Sequence, residues 1–523
     1  MNFREIGVFV RSAVFELINT EIYSCKTPYR IVLNGQCVAE NQTKNVFSLF
    51  GLTPGREYTV TIESDGESCT HSFRTKAESF RLNVRDFGAT GDGVTPDTAA
   101  IQAAILCCPK NGTVLIPPGI YYTASLFLKS NITLELEEGA TLLGVTSRAD
   151  YPILPGVTFS DDAKDEYYLG AWEGNPLSSY ASLLTGVDVE NVDIIGRGVI
   201  DANADSGDWW ENPKQKRGAW RPRMLFLNHC RGVRVHGVTF QNSYAWTIHP
   251  YYSKQISFLD IRVYNDPDSP NTDGIDIESC GGMNLIGAVV SVGDDCIALK
   301  SSKMYLGKRL KTPSSDIIIR NCRLERGHGA VVIGSEVSAG IYDIHVTQCS
   351  FEGTDRGIRI KTRRGRGDLS VVDRISLENV HMHRVLTPFV INMFYHCDPD
   401  GHSELVWSKE KKAVDEFTPK IGSMTCSNVV CEECSVAGMF FYGLPERPVE
   451  SIRLENVSVS FAQDAQPGYP AMMDYIEPTC RKGLYANNVQ NLTLRNVRIT
   501  GADGEKYTIE NVANFSEEES ADE

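Results

Sequence analysis

The sequence predicts an all-β chain, a right-handed single-stranded parallel β-helix preceded by a small β-sandwich. Two observations carry the β-helix. Segments with two alternating apolar residues recur along most of the 523 residues, several of them roughly 23 to 34 residues apart, which is the spacing of coils in a solenoid. Almost no helical periodicity separates them, which argues against a doubly wound sheet with its intervening helices. A third observation sets residues 1–78 apart: there, short alternating strands are divided by turn residues.

Within residues 1–78, Tyr29-Arg30-Ile31-Val32-Leu33 runs into Asn34-Gly35, a hairpin turn, and Val46-Phe47-Ser48-Leu49 reads as a further strand. Leu52 to Val60 resembles the fibronectin type III pattern in which a tyrosine, here Tyr58, locks a corner of the sandwich. The clearest helix spans Thr98 to about Ile105, with Asp97 or Thr98 as N-cap and Ile101, Ala104 and Ile105 on one face; it is expected to cap the end of the β-helix. From about Thr113, coil follows coil, as in Val192-Asp193-Ile194, Val233-Arg234-Val235, Ile256-Ser257-Phe258, Ile317-Ile318-Ile319, Ile344-His345-Val346, Ile375-Ser376-Leu377, Ile452-Arg453-Leu454 and Leu492-Thr493-Leu494. The β-helix is assigned residues 79–512. Its longer gaps, about 145–185, 203–223 and 396–425, are expected to rim a groove, and residues 513–523 to form an acidic disordered tail.

A formal charge of −16 argues against nucleic acid as a partner, and it requires any site for an acidic ligand to be locally basic. Arg359, Lys361, Arg363, Arg364 and Arg366 supply such a patch. No stretch is long and apolar enough to cross a membrane. Charges at Arg4, Glu5, Arg11 and Glu16 are unlike a secretory signal. Fifteen cysteines without framework spacing, with Cys322 and Cys349 at strand-core positions, read as reduced thiols. A cytoplasmic, reducing location is therefore expected. Cys431-Glu432-Glu433-Cys434 has metal-ligand spacing but no second pair to complete a zinc site, and is read as core or turn cysteines.

Four stretches within residues 271–361 carry the chemistry: Asn271-Thr272-Asp273, Gly293-Asp294-Asp295, Gly327-His328-Gly329 and Arg359-Ile360-Lys361. They bring three carboxylates, one imidazole and two cations. Glycoside hydrolysis needs one carboxylic acid to protonate the leaving oxygen and another carboxylate to handle the attacking group. Arg and Lys suit the carboxylate of an acidic sugar. A Gly-Asp-Asp alone is most often a solvated turn; the set of four points to a site. In a regular strand Asp294 and Asp295 would face opposite ways, so a bend is required at Gly293. Arg359 and Lys361 alternate with Ile358 and Ile360 and therefore share one face.

In this order and spacing the four stretches resemble the polygalacturonases, family 28 of the glycoside hydrolases. The resemblance runs from about Val84 to about Val497, opening on Val84-Arg85-Asp86-Phe87-Gly88-Ala89-Thr90-Gly91-Asp92-Gly93 and Asp97-Thr98-Ala99-Ala100-Ile101-Gln102. It implies a β-helix, no cofactor, and hydrolysis of pectic galacturonan by inversion, with Asp294 as general acid and Asp273 with Asp295 activating water. It implies that His328 supports the acid's protonation state or bonds to substrate, that Arg359 and Lys361 clamp the sugar carboxylate, and that Asn271 positions substrate or braces Asp273. Trp220-Arg221-Pro222-Arg223 and the stretch from Asn242 to Pro250 resemble groove segments and add Arg223 and His249 as substrate contacts. The run from Thr354 to Gly367 looks like the bacterial exo-acting branch and adds Arg364. Release of single galacturonic acid units from the non-reducing end of oligogalacturonides is thus expected. The rival readings are an exo-galacturonidase on rhamnogalacturonan fragments, an endo-polygalacturonase, a calcium-dependent pectate lyase and a non-catalytic sugar-binding β-helix.

Overall fold

The computed structural model describes residues 1–518. Within them 34 strands join one continuous sheet that winds into a parallel β-helix. One ladder stacks Ile132–Leu136, Asp193–Gly196, Arg234–His236, Ser257–Leu259, Gly281–Ile286, Ser314–Arg320 and Ile341–Thr347 in parallel register. It continues through Val371–His383, Ser423–Cys434, Val449–Phe461 and Lys482–Thr500. All eight repeat segments named above lie on this ladder. A second stacks Ile248–Tyr251, Ile275–Glu278, Asp295–Lys300, Gly329–Ile333, Arg356–Lys361 and Thr387–Asn392. A third includes Thr239–Gln241, Arg262–Tyr264, Val289–Val292 and Arg323–Arg326. Alternate side chains such as Ile194, Phe258, Ile275, Ile297, Val331 and Ile358 point inward, and each is wholly buried in one core running the length of the stack.

The helix Thr98–Cys107 buries Ile101, Ala104 and Ile105 in that same core. Asp97 stands at its N-cap without capping it, because its carboxylate accepts instead from the backbone N–H groups of Thr90 and Gly91.

Before the β-helix, two antiparallel sheets share a core of Phe3, Phe15, Tyr29, Phe47, Val60 and Phe73. Asn34 and Gly35 both take positive φ, 50° and 83°, as a two-residue hairpin turn demands. The Thr53 N–H donates to the Tyr58 hydroxyl oxygen at 2.8 Å. This unit packs on the first ladder, with Phe9, Val10, Val14 and Val46 against Ile195, Leu259 and Ile286. The imidazole of His236 is stacked between Phe9 and Phe50 and bonds to Ser12 and Ser48. Glu16, also buried, accepts from Arg4 on the neighbouring strand and, across the junction, from Arg320 and Asn321. Glu16→Gln sets an amide NH₂ against one of these donors and is expected to cost about 1.5–3 kcal/mol of unfolding free energy, read by denaturant titration. A loss below about 0.5 kcal/mol would mean that apolar packing alone holds the junction.

Residues 513–518 depart from the expected disordered tail: they continue the strand Tyr507–Glu518, paired in parallel with Lys482–Thr500. The acidic side chains there find cations, Glu518 on Arg495 and Glu517 near Lys506, and Asn514 bonds to Asn491. Residues 519–523 of that tail lie outside the described residues. All fifteen cysteines are free, Cys431 and Cys434 among the buried ones. Among the described residues no helix is long and apolar enough to cross a membrane.

Candidate active site

The sharp turns that aim the polar residues are built from glycine. Val289–Val292 ends and Asp295–Lys300 begins on either side of Gly293-Asp294, so the adjacent aspartates sit at a corner between two faces of the coil. A Cβ on Gly293 would come 2.6 Å from the Ser269 carbonyl oxygen and 2.7 Å from that of Asp266. Gly327, at φ +74°, passes so close to Asp294 that a Cβ would lie 2.3 Å from its carbonyl oxygen. That approach lets the His328 N–H donate to the same carbonyl at 3.1 Å. Asn271 adopts φ 55°, and its Oδ1 accepts from Arg221 Nη2 at 2.6 Å. Arg221 Nη1 donates in turn to the carbonyls of Tyr244 and Pro270, so Asn271 is a braced turn beside Asp273.

One carboxylate oxygen from each of Asp273, Asp294 and Asp295 lies within 4.8 Å of the others. Asp294 is the most open of the three, with 23% of its side chain exposed, and its Oδ1 is 3.2 Å from His328 Nδ1. Asp273 and Asp295 are buried behind it. Lys361 Nζ donates to Asp295 Oδ2 at 2.8 Å, and Arg359 Nη1 stands 3.7 Å from Asp295 Oδ1. In the free protein, then, the carboxylate that Lys361 grips is the protein's own. Tyr395 lies over both cations, 5.5 Å from Arg359 and 5.3 Å from Lys361. Nothing in its local sequence marks it. Asp276, outside the four stretches, also borders the cluster: it is fully buried, neither oxygen has a hydrogen bond, and Lys300 Nζ is 3.5 Å away. The signal for it existed, because Ile275 and Ile277 face the core and turn Asp276 outward toward the site.

Residues 130–416 match the family described as Glycosyl hydrolases family 28, a span that holds all four motifs and more than half of the chain. The chain belongs to that family. Residues 81–141, the opening coils, also match Rhamnogalacturonase A/epimerase, pectate lyase-like. A probable polygalacturonase of Vitis vinifera is 30% identical over 389 residues, covering 73% of this chain and 74% of that one. An exo-poly-alpha-D-galacturonosidase of Dickeya chrysanthemi is 28% identical over 425 residues, covering 71% and 67%. The solved family 28 exopolygalacturonase of Yersinia enterocolitica superposes with a TM-score of 0.72 over 98% of both chains at 19% identity, a likeness of fold along the whole length. This protein is a glycoside hydrolase with the β-helix of family 28.

Within this candidate site the three aspartates are electrically unequal. Burial, and then the charges of Asp276 and Asp294, hold the Asp273 carboxyl well above the usual carboxylate range. Burial likewise lifts Asp276, against the pull of Lys300 and Arg223. Burial also pushes Asp295 upward, but Lys361 and Arg359 outweigh it and leave that carboxyl below its ordinary value. His328 is raised, first by its hydrogen bond to Asp294. Burial thus biases the Asp273 and Asp276 carboxyls toward the protonated form, while the two cations bias Asp295 toward the ionised one. A carboxyl whose folded pKa is raised stabilises most below its unfolded value of about 3.9 and loses that contribution as pH climbs through the folded value. Asp273→Asn is thus expected to raise the unfolding free energy at pH 8 by about 1–3 kcal/mol, a gain that vanishes near pH 4. Denaturant melts at both pH values check this, and a gain independent of pH would contradict the shift.

Three residues expected to touch substrate are placed otherwise. His249 is wholly buried, 3.1 Å from Glu278 Oε2 and packed on Phe226 and Trp246, and burial pushes its pKa down to about 4. Arg223 is buried too: Nη1 donates to the Arg221 carbonyl, Nη2 to that of Ala171, and the guanidinium lies 4.8 Å from the ring centres of both Trp172 and Trp246. Arg364 is held in two bonds by Glu446, at 2.6 and 2.9 Å, and by the carbonyls of Leu405 and Ser408. Its neighbours are engaged as well, Arg363 by Asp400 and Arg366 by Asp398. The basic run is thus a set of buried struts, because a buried guanidinium needs acceptors for its donors. In shape the three aspartates could receive a divalent cation, but Lys361, Arg359 and Lys300 already answer much of their charge.

Proposed function

We propose that this enzyme releases single galacturonic acid units from the non-reducing end of α-1,4-linked pectic oligogalacturonides, with inversion. The observation that carries the reading is the arrangement of the aspartates: an open Asp294 beside His328, a buried Asp273 with an oxygen within 4.8 Å of it, and an Asp295 bonded to Lys361. Asp294, in its acid form, protonates the glycosidic oxygen as it leaves, while Asp295, with Asp273 beside it, takes a proton from the attacking water. Arg359, under Tyr395, is the cation best placed for the sugar's carboxylate, since it stands off Asp295 at 3.7 Å.

Exo action is supported by a long segment packed beside the site. Trp172, from the long segment between the strands Ala140–Gly144 and Leu184–Val187, stacks on Trp220 at 4.8 Å and clasps Arg223 against Trp246. Lys300 Nζ lies 4.5 Å from the Trp246 ring on the same side as Asp276, and the Lys303 N–H donates to the Gly174 carbonyl at 3.0 Å. A groove bounded by such a packed segment suits a chain that ends there. The names of the curated relatives point to galacturonan as the substrate class. The free thiols favour a cytoplasmic setting.

The test is product analysis on oligogalacturonides of defined length, with and without chelator, the first-formed anomer being read by proton NMR. Saturated monosaccharide from the first time point, initially the β-anomer, is expected with chelator or without. The carboxylate oxygens, within 4.8 Å, are closer than the about 6.5–9.5 Å common to inverting pairs, so the anomer is a sharp criterion. The α-anomer first would establish retention; a ladder of oligomers, endo action; unsaturated ends, a lyase. An absence of product would move the substrate to rhamnogalacturonan fragments.

A further inference from the structure

Two loops meet beside Tyr395. One follows the strand Thr387–Asn392; the other joins Val449–Phe461 to Lys482–Thr500. The first turns His396 and His402 toward Asp474 of the second. His396 Nδ1 is 3.2 Å from Asp474 Oδ1, and His402 Nδ1 is 2.9 Å from each carboxylate oxygen. A ring nitrogen of each histidine and an oxygen of Asp474 lie within 4.8 Å of one another. Ligands bound at about 2.0–2.2 Å in a tetrahedron stand about 3.3–3.6 Å apart, so the nitrogen-to-oxygen separations already approach those of a metal shell.

We propose that His396, His402 and Asp474 form a binding site for a divalent ion of the zinc class, with water in the fourth position. Two imidazoles and one carboxylate are donors for zinc, nickel or copper, whereas calcium and magnesium take oxygen ligands. The three groups converge before any ion arrives, so binding requires displacement of the hydrogen bonds and little movement of the chain. The ion ties the two loops together. It does so at a point that matters for the groove, because His396 adjoins Tyr395, whose ring covers Arg359 and Lys361, and the Met472 carbonyl accepts from both the His396 N–H and Asn392 Nδ2. Hydrolysis does not pass through this ion; its effect is to hold the loops.

The experiment is a calorimetric titration of chelator-stripped, full-length protein with zinc chloride in the absence of substrate, paired with melting curves. One zinc per chain and a higher melting temperature are expected. His402→Ala, at a position 71% exposed, and Asp474→Asn are expected to lower the affinity at least tenfold and to abolish the thermal shift, while the metal-free melting curve of His402→Ala stays at the wild-type position. Asp294→Asn is expected to bind zinc as the wild type does. No saturable binding to the wild type would reduce the cluster to an imidazole–carboxylate ion pair and overturn the proposal. So would undiminished binding in both loop variants, or binding lost in Asp294→Asn, which would put the ion on the three active-site aspartates.

Discussion

Asp294→Asn is expected to lower kcat on oligogalacturonides by about 10²- to 10⁴-fold while leaving their Kd within a factor of a few. The substitution keeps the shape of the side chain and removes its only exchangeable acidic proton. Asp294 is the one carboxylate of the cluster that is open to the groove, so it alone can reach a glycosidic oxygen without rearrangement of the coil. His328 retains an acceptor in the amide oxygen, so the corner built by Gly293 and Gly327 is expected to hold. Steady-state kinetics and calorimetric binding of a trimer to the same preparation separate the two quantities. A kcat within tenfold of wild type would move the proton donor to Asp273, the buried neighbour, and would require a different approach of the substrate.

Lys361→Met is expected to be the most damaging single change to the buried site, costing about 3–5 kcal/mol of unfolding free energy at neutral pH. Lys361 and Asp295 are both nearly inaccessible, and their 2.8 Å bond is the chief offset to the burial of that carboxylate. Arg359 at 3.7 Å supplies part of the charge but no hydrogen bond at that distance. The sign follows from the two shifts. Asp295, depressed in the fold, contributes stability above its unfolded pKa of about 3.9 and loses it as pH falls through the folded value. Lys361, raised in the fold, contributes below its unfolded value of about 10.4 and loses it as pH rises through the folded one. The pair therefore stabilises on a plateau from about pH 5 to about pH 10. In the variant, burial is no longer outweighed, the Asp295 carboxyl rises, and the deficit is greatest near neutrality and shrinks in acid. The acid limb of kcat/KM moves to higher pH for the same reason. Unfolding measured at pH 4 and pH 7 checks the first statement and a pH–rate profile the second. An equal deficit at both pH values would reduce Lys361 to a packing element.

Much of the fold was legible because coil structure is periodic. The eight alternating segments lie on one ladder, and their inward residues needed only period two and a core to be recognised. Residues 513–518 depart from their composition for a related reason: a run of Glu suggests solvated chain, yet backbone pairing and Arg495 hold Glu518 in a strand. Asp276 shows the opposite failure, a residue that strand alternation could have found.

By itself the sequence determined the β-helix and the set of residue types that could perform glycosidic hydrolysis, because apolar alternation and the chemical demands of the reaction are both local properties. It also located the bend at Gly293, since two adjacent aspartates share a groove only at a corner. Only the tertiary structure decided which charges are free to act. Lys361 meets Asp295 from 66 residues away, and Arg364 meets Glu446 from 82. His249 is withdrawn from the groove by burial, bonded to Glu278 on the next coil. A buried charge must find a partner, and in a stacked coil that partner comes from a neighbouring turn or an overlying loop. Spacing along the chain therefore identified the ionisable residues, and stacking alone assigned them to the groove or to the frame beneath it.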